Sequence, residues 1–117
     1  MQQQIGMNKI ILGSLLKISI MLIQHTHNES KGVFFVGQDG AILAELVYTM
    51  PSFDKMIIEH TEVSEELKGE DVGYHLVETA VEYARTHHLH IIPLCPFANA
   101  VFKKKADYRD VLFEFGT

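Results

Sequence analysis

Val63-Ser64-Glu65-Glu66-Leu67-Lys68-Gly69-Glu70-Asp71-Val72-Gly73-Tyr74-His75-Leu76 reads as the end of a strand, a glycine-bearing loop and the first turns of an amphipathic helix. A helix N-terminus exposes backbone N–H groups with the positive end of the helix dipole behind them, a natural cradle for phosphate. Glycine lets a backbone approach a ligand where a side chain would collide. Gly69 and Gly73 alone are a weak signal, because glycine also serves ordinary turns. The flanking segments therefore carry the reading.

Downstream, Val72, Leu76, Ala80, Tyr83, Ala84 and His87 recur at helical spacing, widened by Val77 and Val81, with Glu78 and Glu82 on the other side. This predicts a helix ending at Thr86-His87-His88, where cationic or polar residues suit the negative end of the dipole. His90-Ile91-Ile92-Pro93-Leu94-Cys95 follows as a buried strand, and Pro96 opens a short helix over Ala98–Lys105. Val111–Phe115 is a candidate closing strand. Lys103-Lys104-Lys105 reads as a solvated helix end.

Upstream, Val33-Phe34-Phe35-Val36 is a short strand, and Asp39-Gly40 marks a tight hairpin. Ala41–Thr49 is a second strand, stopped by Pro51 in the turn Met50–Asp54. Lys55–Val63 is a third, with Met56, Ile58, His60 and Glu62 on one face and Ile57, Glu59, Thr61 and Val63 on the other. Three antiparallel strands, helix, strand, helix and a possible last strand make an α+β domain: a mostly antiparallel mixed sheet with one crossover and two main helices.

Composition narrows the function classes. A chain of 117 residues supports one domain with a modest core. It is 47% hydrophobic and 21% charged, which suits a globular protein. A net charge of -5 argues against nucleic acid as partner, since such binding needs clustered Lys and Arg. One cysteine makes no intrachain disulfide, so a reducing, cytoplasmic setting is expected. His87, His88 and His90 lack the further ligands of a metal site, and neither CxxC nor HExxH occurs. The apolar run Ile10–Ile23, interrupted by Gly13, Lys17 and two serines, is too short and broken to span a bilayer. It lacks a small-x-small cleavage site as well. Residues 1–24 are read as an N-terminal extension and 25–117 as the domain. An extra helix packed on the domain is the other reading, and either Met1 or Met21 begins the working protein.

Four pieces now stand in order: His60-Thr61-Glu62-Val63, the Gly69–Gly73 loop, Ile91-Ile92-Pro93-Leu94-Cys95-Pro96-Phe97, and Tyr108-Arg109-Asp110-Val111. Together with Ala84-Arg85 they resemble a small, single-domain family of GNAT N-acetyltransferases with "HTEV", glycine-loop and "CPF" motifs, over about Lys31–Leu112. The resemblance implies a GNAT-like fold and acetyl-CoA as co-substrate. Thr61 and Val63 would offer backbone groups to the pantetheine arm. The loop Lys68, Gly69, Glu70, Asp71, Val72 and Gly73 would cradle the pyrophosphate, and the thioester would lie between the strands ending at Val63 and Cys95. A backbone N–H would polarise the thioester carbonyl as an amine attacks it.

The family pattern is Gly-x-Gly-x-Gly, and here Asp71 takes the middle place. Its Cβ would hinder backbone approach, its carboxylate would repel pyrophosphate, and its side chain would compete for the helix N–H groups. Lys68 would offset part of the repulsion.

Cys95 is the first catalytic candidate, either as an acetyl acceptor activated by the helix that Pro96 starts, with His60 as base, or as a residue lining the thioester. A buried inert cysteine is the plain alternative. Glu62 is placed to take the proton of the incoming ammonium; Glu59 shares that ambiguity, Tyr83 reads as core, and Tyr108 has a hydroxyl able to reach the cleft. The reading is thus an N-acetyltransferase acting on an unidentified amine, monomeric or a weak dimer, with no membrane partner. The acidic balance favours a cationic acceptor. The rival is a non-catalytic acyl-CoA-binding or protein-interaction domain whose phosphate loop Asp71 has degraded.

Overall fold

The computed structural model describes residues 22–114. Five strands, β1 Gln24–His27, β2 Lys31–Gln38, β3 Ala41–Ser52, β4 Lys55–Val63 and β5 His90–Pro93, form one sheet in the order β1-β2-β3-β4-β5. Neighbours are antiparallel except β4 and β5, which run parallel. Parallel strands need a crossover, and α1 (Val72–His87) supplies it. α2 (Pro96–Lys104) and a 3-10 segment, Ala106–Val111, complete the described chain.

One face of the sheet carries the core. Phe34 and Val36 of β2, Ala44, Leu46 and Tyr48 of β3, and Met56 and Ile58 of β4 cluster with Val72, Leu76, Val77, Ala80, Val81 and Ala84 of α1. This is the predicted helical stripe, and Leu76, Val77, Ala80, Val81 and Ala84 have no exposed surface. Tyr83, read as core, is only half-buried at its margin. The other face presents Val33, Phe35, Glu45, Val47, Thr49 and Ile57, none fully buried.

The Asp39-Gly40 hairpin forms as its sequence requires, with φ of 53° and 83° at the two turn residues. Pro51 does not stop its strand. β3 continues to Ser52, and the turn is Phe53-Asp54. The ladder slips by one residue between Thr49 and Ser52, and at such an irregularity the missing proline N–H costs no ladder bond.

Gln24–His27 is a fourth antiparallel strand that alternation did not reveal, being polar throughout. His25 anchors it: its ring stacks on Phe34 at 4.1 Å and shares a 2.7 Å hydrogen bond with the Tyr48 hydroxyl. β1 therefore straddles the expected boundary at 24/25; just before it Leu22 is exposed and Ile23 packs against the core, and residues 1–21 of the extension lie outside the described residues. Among the described residues no helix is long and apolar enough to cross a membrane.

At the C-terminal end β5 stops at Pro93 rather than Cys95, which becomes the N-cap of α2. Among the described residues the expected closing strand Val111–Phe115 is reduced to a single bridge between Leu112 and Ile91, extended by the Phe113 N–H donating to the Ile91 carbonyl at 2.8 Å; Phe115 lies outside the described residues. Arg85 ties this segment down. Its guanidinium donates to both Asp110 carboxylate oxygens, at 2.7 and 2.9 Å, and to the Asp107 carbonyl at 2.7 Å.

Candidate active site

The site is made by one extra residue in β4. Tyr48 of β3 pairs with Ile58, but Val47 pairs with His60, so Glu59 is a bulge. Before it, Met56 and Ile58 face the core. After it, Thr61 and Val63 take that face, opposite Leu46 and Ala44, while His60 and Glu62 turn outward. A strict period of two had placed His60 and Glu62 with Met56 and Ile58, and the bulge overturns that assignment. β5 pairs with β4 only as far as Ile58–Pro93, so the two strands part immediately beyond the bulge.

In the splay, Cys95 is held by its N–H donating to the Ile58 carbonyl at 3.0 Å, and its carbonyl accepts the Asn99 N–H at 2.9 Å. Its side chain is buried, and the thiol Sγ lies 3.5 Å from Thr61 Oγ1, to which it donates. Thr61, not His60, is thus the β4 residue that meets the thiol. His60 instead sits on the outer face, with Nε2 3.3 Å from a Glu45 carboxylate oxygen. Glu45 pairs directly across the ladder with Glu62, and ligand atoms of Glu45, His60 and Glu62 lie within 4.8 Å of one another. Glu59 accepts a hydrogen bond from Thr49 Oγ1 at 2.8 Å on the same side.

Beyond Val63 the chain makes a 3-10 turn, Glu65–Leu67, then the loop Lys68–Asp71 that enters α1. Gly69 has φ of 87° and Asp71, the N-cap, has φ of 61° and ψ of 26°. A left-handed backbone at 71 is the physical reason for a glycine there, and Asp is among the few other residues that adopt it. The Asp71 side chain is exposed and makes no capping hydrogen bond, so it does not compete for the helix amides as expected. Lys68 Nζ lies 3.6 Å from a Glu65 carboxylate oxygen.

Loop, strand end and helix start enclose an open cleft of about 350 Å³, lined among others by Thr61, Val63, Lys68, Gly69, Asp71 and Gly73. A Cβ on Gly73 would stand 2.9 Å from Phe97 Cζ, so the absence of a side chain there lets α2 close on α1. Phe97 in turn packs edge-on against Tyr74 at 5.3 Å between ring centres. Leu67, Tyr74 and Phe97 thus form the apolar wall of the cleft, a role not read from the sequence. The signal was present: large apolar residues directly beside the glycine loop and the helix-opening Pro96. Tyr108 does not line the cleft; its ring packs on Phe102, and burial raises the pKa of its hydroxyl.

Comparison with known proteins agrees with this geometry. A family model of the GCN5-related N-acetyltransferases matches residues 33–111. A GCN5-like protein of Staphylococcus aureus, solved by NMR, is 35% identical over 80% of this chain and 93% of its own, with a TM-score of 0.62. A ribosomal-protein-alanine N-acetyltransferase of Brucella melitensis shares the fold at 10% identity and a TM-score of 0.55, over 66% of this chain and 62% of its own. A GNAT acetyltransferase of Elizabethkingia anophelis, with acetyl-CoA bound, does so at 14% and 0.51, over 66% and 53%. No curated protein matches the chain. The chain belongs to the GCN5-related N-acetyltransferase family.

Proposed function

We propose that this member of the family binds acetyl-CoA in the cleft between β4 and α1 and transfers the acetyl group to a cationic amine. The observation that carries the reading is the Glu59 bulge. It turns Thr61 and Val63 toward the helix side where β4 leaves β5, and it does so beside a helix N-terminus ringed by Lys68 and Gly69.

In this reading the pyrophosphate sits on the first-turn amides of α1, which helix geometry leaves without intrahelical partners. The pantetheine arm follows the backbone of Thr61 and Val63, and the thioester reaches Cys95. The amine enters from the outer face, where Glu45, His60 and Glu62 gather. Glu62 takes a proton from the incoming ammonium, directly or through water, and so frees the nitrogen lone pair. The neutral nitrogen attacks the thioester carbonyl carbon. The new N–C bond forms, the C–S bond breaks with its electron pair leaving on the CoA sulfur, and the second nitrogen proton passes to that thiolate or to water. Cys95 lines the thioester; its thiol is engaged with Thr61, and His60 stands on the opposite sheet face, so the Cys95–His60 couple is absent from this route.

Calorimetric titration with acetyl-CoA at low and moderate salt tests the reading. Saturable binding that weakens with salt supports it, and is followed by measuring CoA release with polyamine and lysyl-peptide acceptors. Absence of heat up to millimolar cofactor would favour the non-catalytic alternative.

A further inference from the structure

The lysine run at the end of α2 is exposed, as read, and one of its members has a partner. Lys104 Nζ lies 3.4 Å from the Tyr74 hydroxyl, to which it donates, and Tyr74 lines the cleft one residue beyond Gly73. Lys104, at the cationic end of α2, does not itself line the cleft but reaches a residue that does. Lys103, Lys104 and Lys105 are all exposed, and among the described residues none of them makes a salt bridge. Lys68, in the loop itself, stands instead beside Glu65. An ammonium has three donors, and the contact with Tyr74 uses one.

We infer that Lys104, held by Tyr74, binds the 3′-phosphate of the CoA ribose and makes the protein discriminate CoA from its 3′-dephospho form. The inference rests on the acetyl-CoA reading above. A pyrophosphate on the first turn of α1 sends the nucleoside outward past Tyr74, since the pantetheine arm occupies the other direction, along β4 toward Cys95. The 3′-phosphate is then the ligand's outermost anion, and Lys104 is the cation fixed next to its path. The tyrosine hydroxyl reduces the rotamer freedom that a long, exposed side chain loses on binding.

The test is calorimetry with CoA and 3′-dephospho-CoA at low ionic strength, on the wild-type chain and on Lys104→Ala, Lys104→Arg and Lys103→Ala. Wild type is expected to bind CoA roughly fivefold tighter than dephospho-CoA, as an exposed charge-assisted contact allows. Lys104→Ala should remove that difference by weakening CoA alone, Lys104→Arg should restore it, and Lys103→Ala should leave it in place. A difference that persists in Lys104→Ala, or an equal loss for both ligands, overturns the assignment. Equal affinities in the wild type overturn it too, while leaving the acetyl-CoA reading intact. Binding of neither ligand overturns both.

Discussion

Replacing Asp71 separates charge from backbone geometry at the phosphate cradle. Asp71 caps α1 in a left-handed conformation with its side chain exposed, so its carboxylate acts on a bound pyrophosphate through space and not by occupying the amides. A phosphate seated on the first-turn amides lies roughly 7 Å, little more than one helical pitch, from an outward carboxylate at the N-cap. Each unit charge at that distance in water costs about 0.6 kcal/mol, and the two pyrophosphate charges together about 1.2 kcal/mol. That corresponds to nearly eightfold in affinity at low salt. At physiological ionic strength screening leaves about 0.5 kcal/mol, or roughly twofold. Asp71→Asn keeps the shape and the tolerance for a left-handed backbone while removing the charge. Asp71→Gly removes the Cβ as well and relieves up to about 1 kcal/mol of conformational cost, offset by losing about 0.3–1 kcal/mol of favourable charge–dipole interaction. Both variants should therefore tighten acetyl-CoA binding by similar, salt-dependent factors, with little change in Tm for Asp71→Gly and a small fall for Asp71→Asn, measured by calorimetry and thermal melts. Tightening by Asp71→Gly alone would locate the penalty in the Cβ. Unchanged affinity in both at low salt would refute the electrostatic argument and place the phosphates away from this helix end.

Three further outcomes are expected. Cys95→Ala should retain acetyl transfer, measured as CoA release, because in the proposed arrangement the thiol lines the thioester without carrying the acetyl group; an acetyl adduct on wild type by intact mass that disappears in Cys95→Ala, together with lost turnover, would establish covalent catalysis instead. Gly73→Ala places a Cβ 2.9 Å from Phe97 Cζ, which should cost about 1–3 kcal/mol by overpacking and displace Phe97 from the cleft wall, lowering both Tm and acetyl-CoA affinity; unchanged binding would mean the wall does not touch the ligand. Burial, followed by the charges of His27 and His87, lowers the pKa of His25 from its ordinary 6.5. The unfolded chain then takes up the proton first, so stability is full at neutral pH and falls as pH drops below about 6.5. Melts of wild type between pH 7.5 and 5.5 should show that loss, and His25→Phe, which retains the stacking on Phe34, should flatten the curve; a slope unchanged in His25→Phe would assign it to other groups.

The legible parts of the fold were those set by local periodicity and turn chemistry. The stripe Val72–Ala84, the Asp39-Gly40 hairpin and Pro96 at the start of α2 each encode their structure within a few residues, and each formed as read. Gly69, Asp71 and Gly73 marked the loop that enters α1 for the same reason. What escaped depended on tertiary partners. Gln24–His27 becomes a strand because Phe34, Tyr48 and Tyr83 offer an aromatic shelf to His25, information that resides 9 to 58 residues away. The tail Val111–Phe115 looked like a strand by composition, yet among the described residues Leu112 and Phe113 pair with Ile91 alone.

The Glu59 bulge shows why the fold was easier to read than the site. A one-residue insertion leaves the strand's length, composition and neighbours intact, so nothing in the identification of β4 depends on it. Every side chain beyond it, however, changes face. His60 and Glu62 leave the helix side and join Glu45, while Thr61 and Val63 replace them facing the cleft. At the same point β4 ceases to pair with β5, the last pair being Ile58–Pro93. The bulge thereby sorts the residues of His60-Thr61-Glu62-Val63 into two sets: Thr61 and Val63 toward the cleft, the proposed donor site, and His60 and Glu62 toward the outer face, from which the acceptor is proposed to enter. On that division, Thr61→Val should act mainly through acetyl-CoA binding, and Glu62→Gln mainly through the amine dependence of turnover. A Glu62→Gln variant that instead lost acetyl-CoA affinity, with amine dependence unchanged, would show that the two sets are not separated by the sheet.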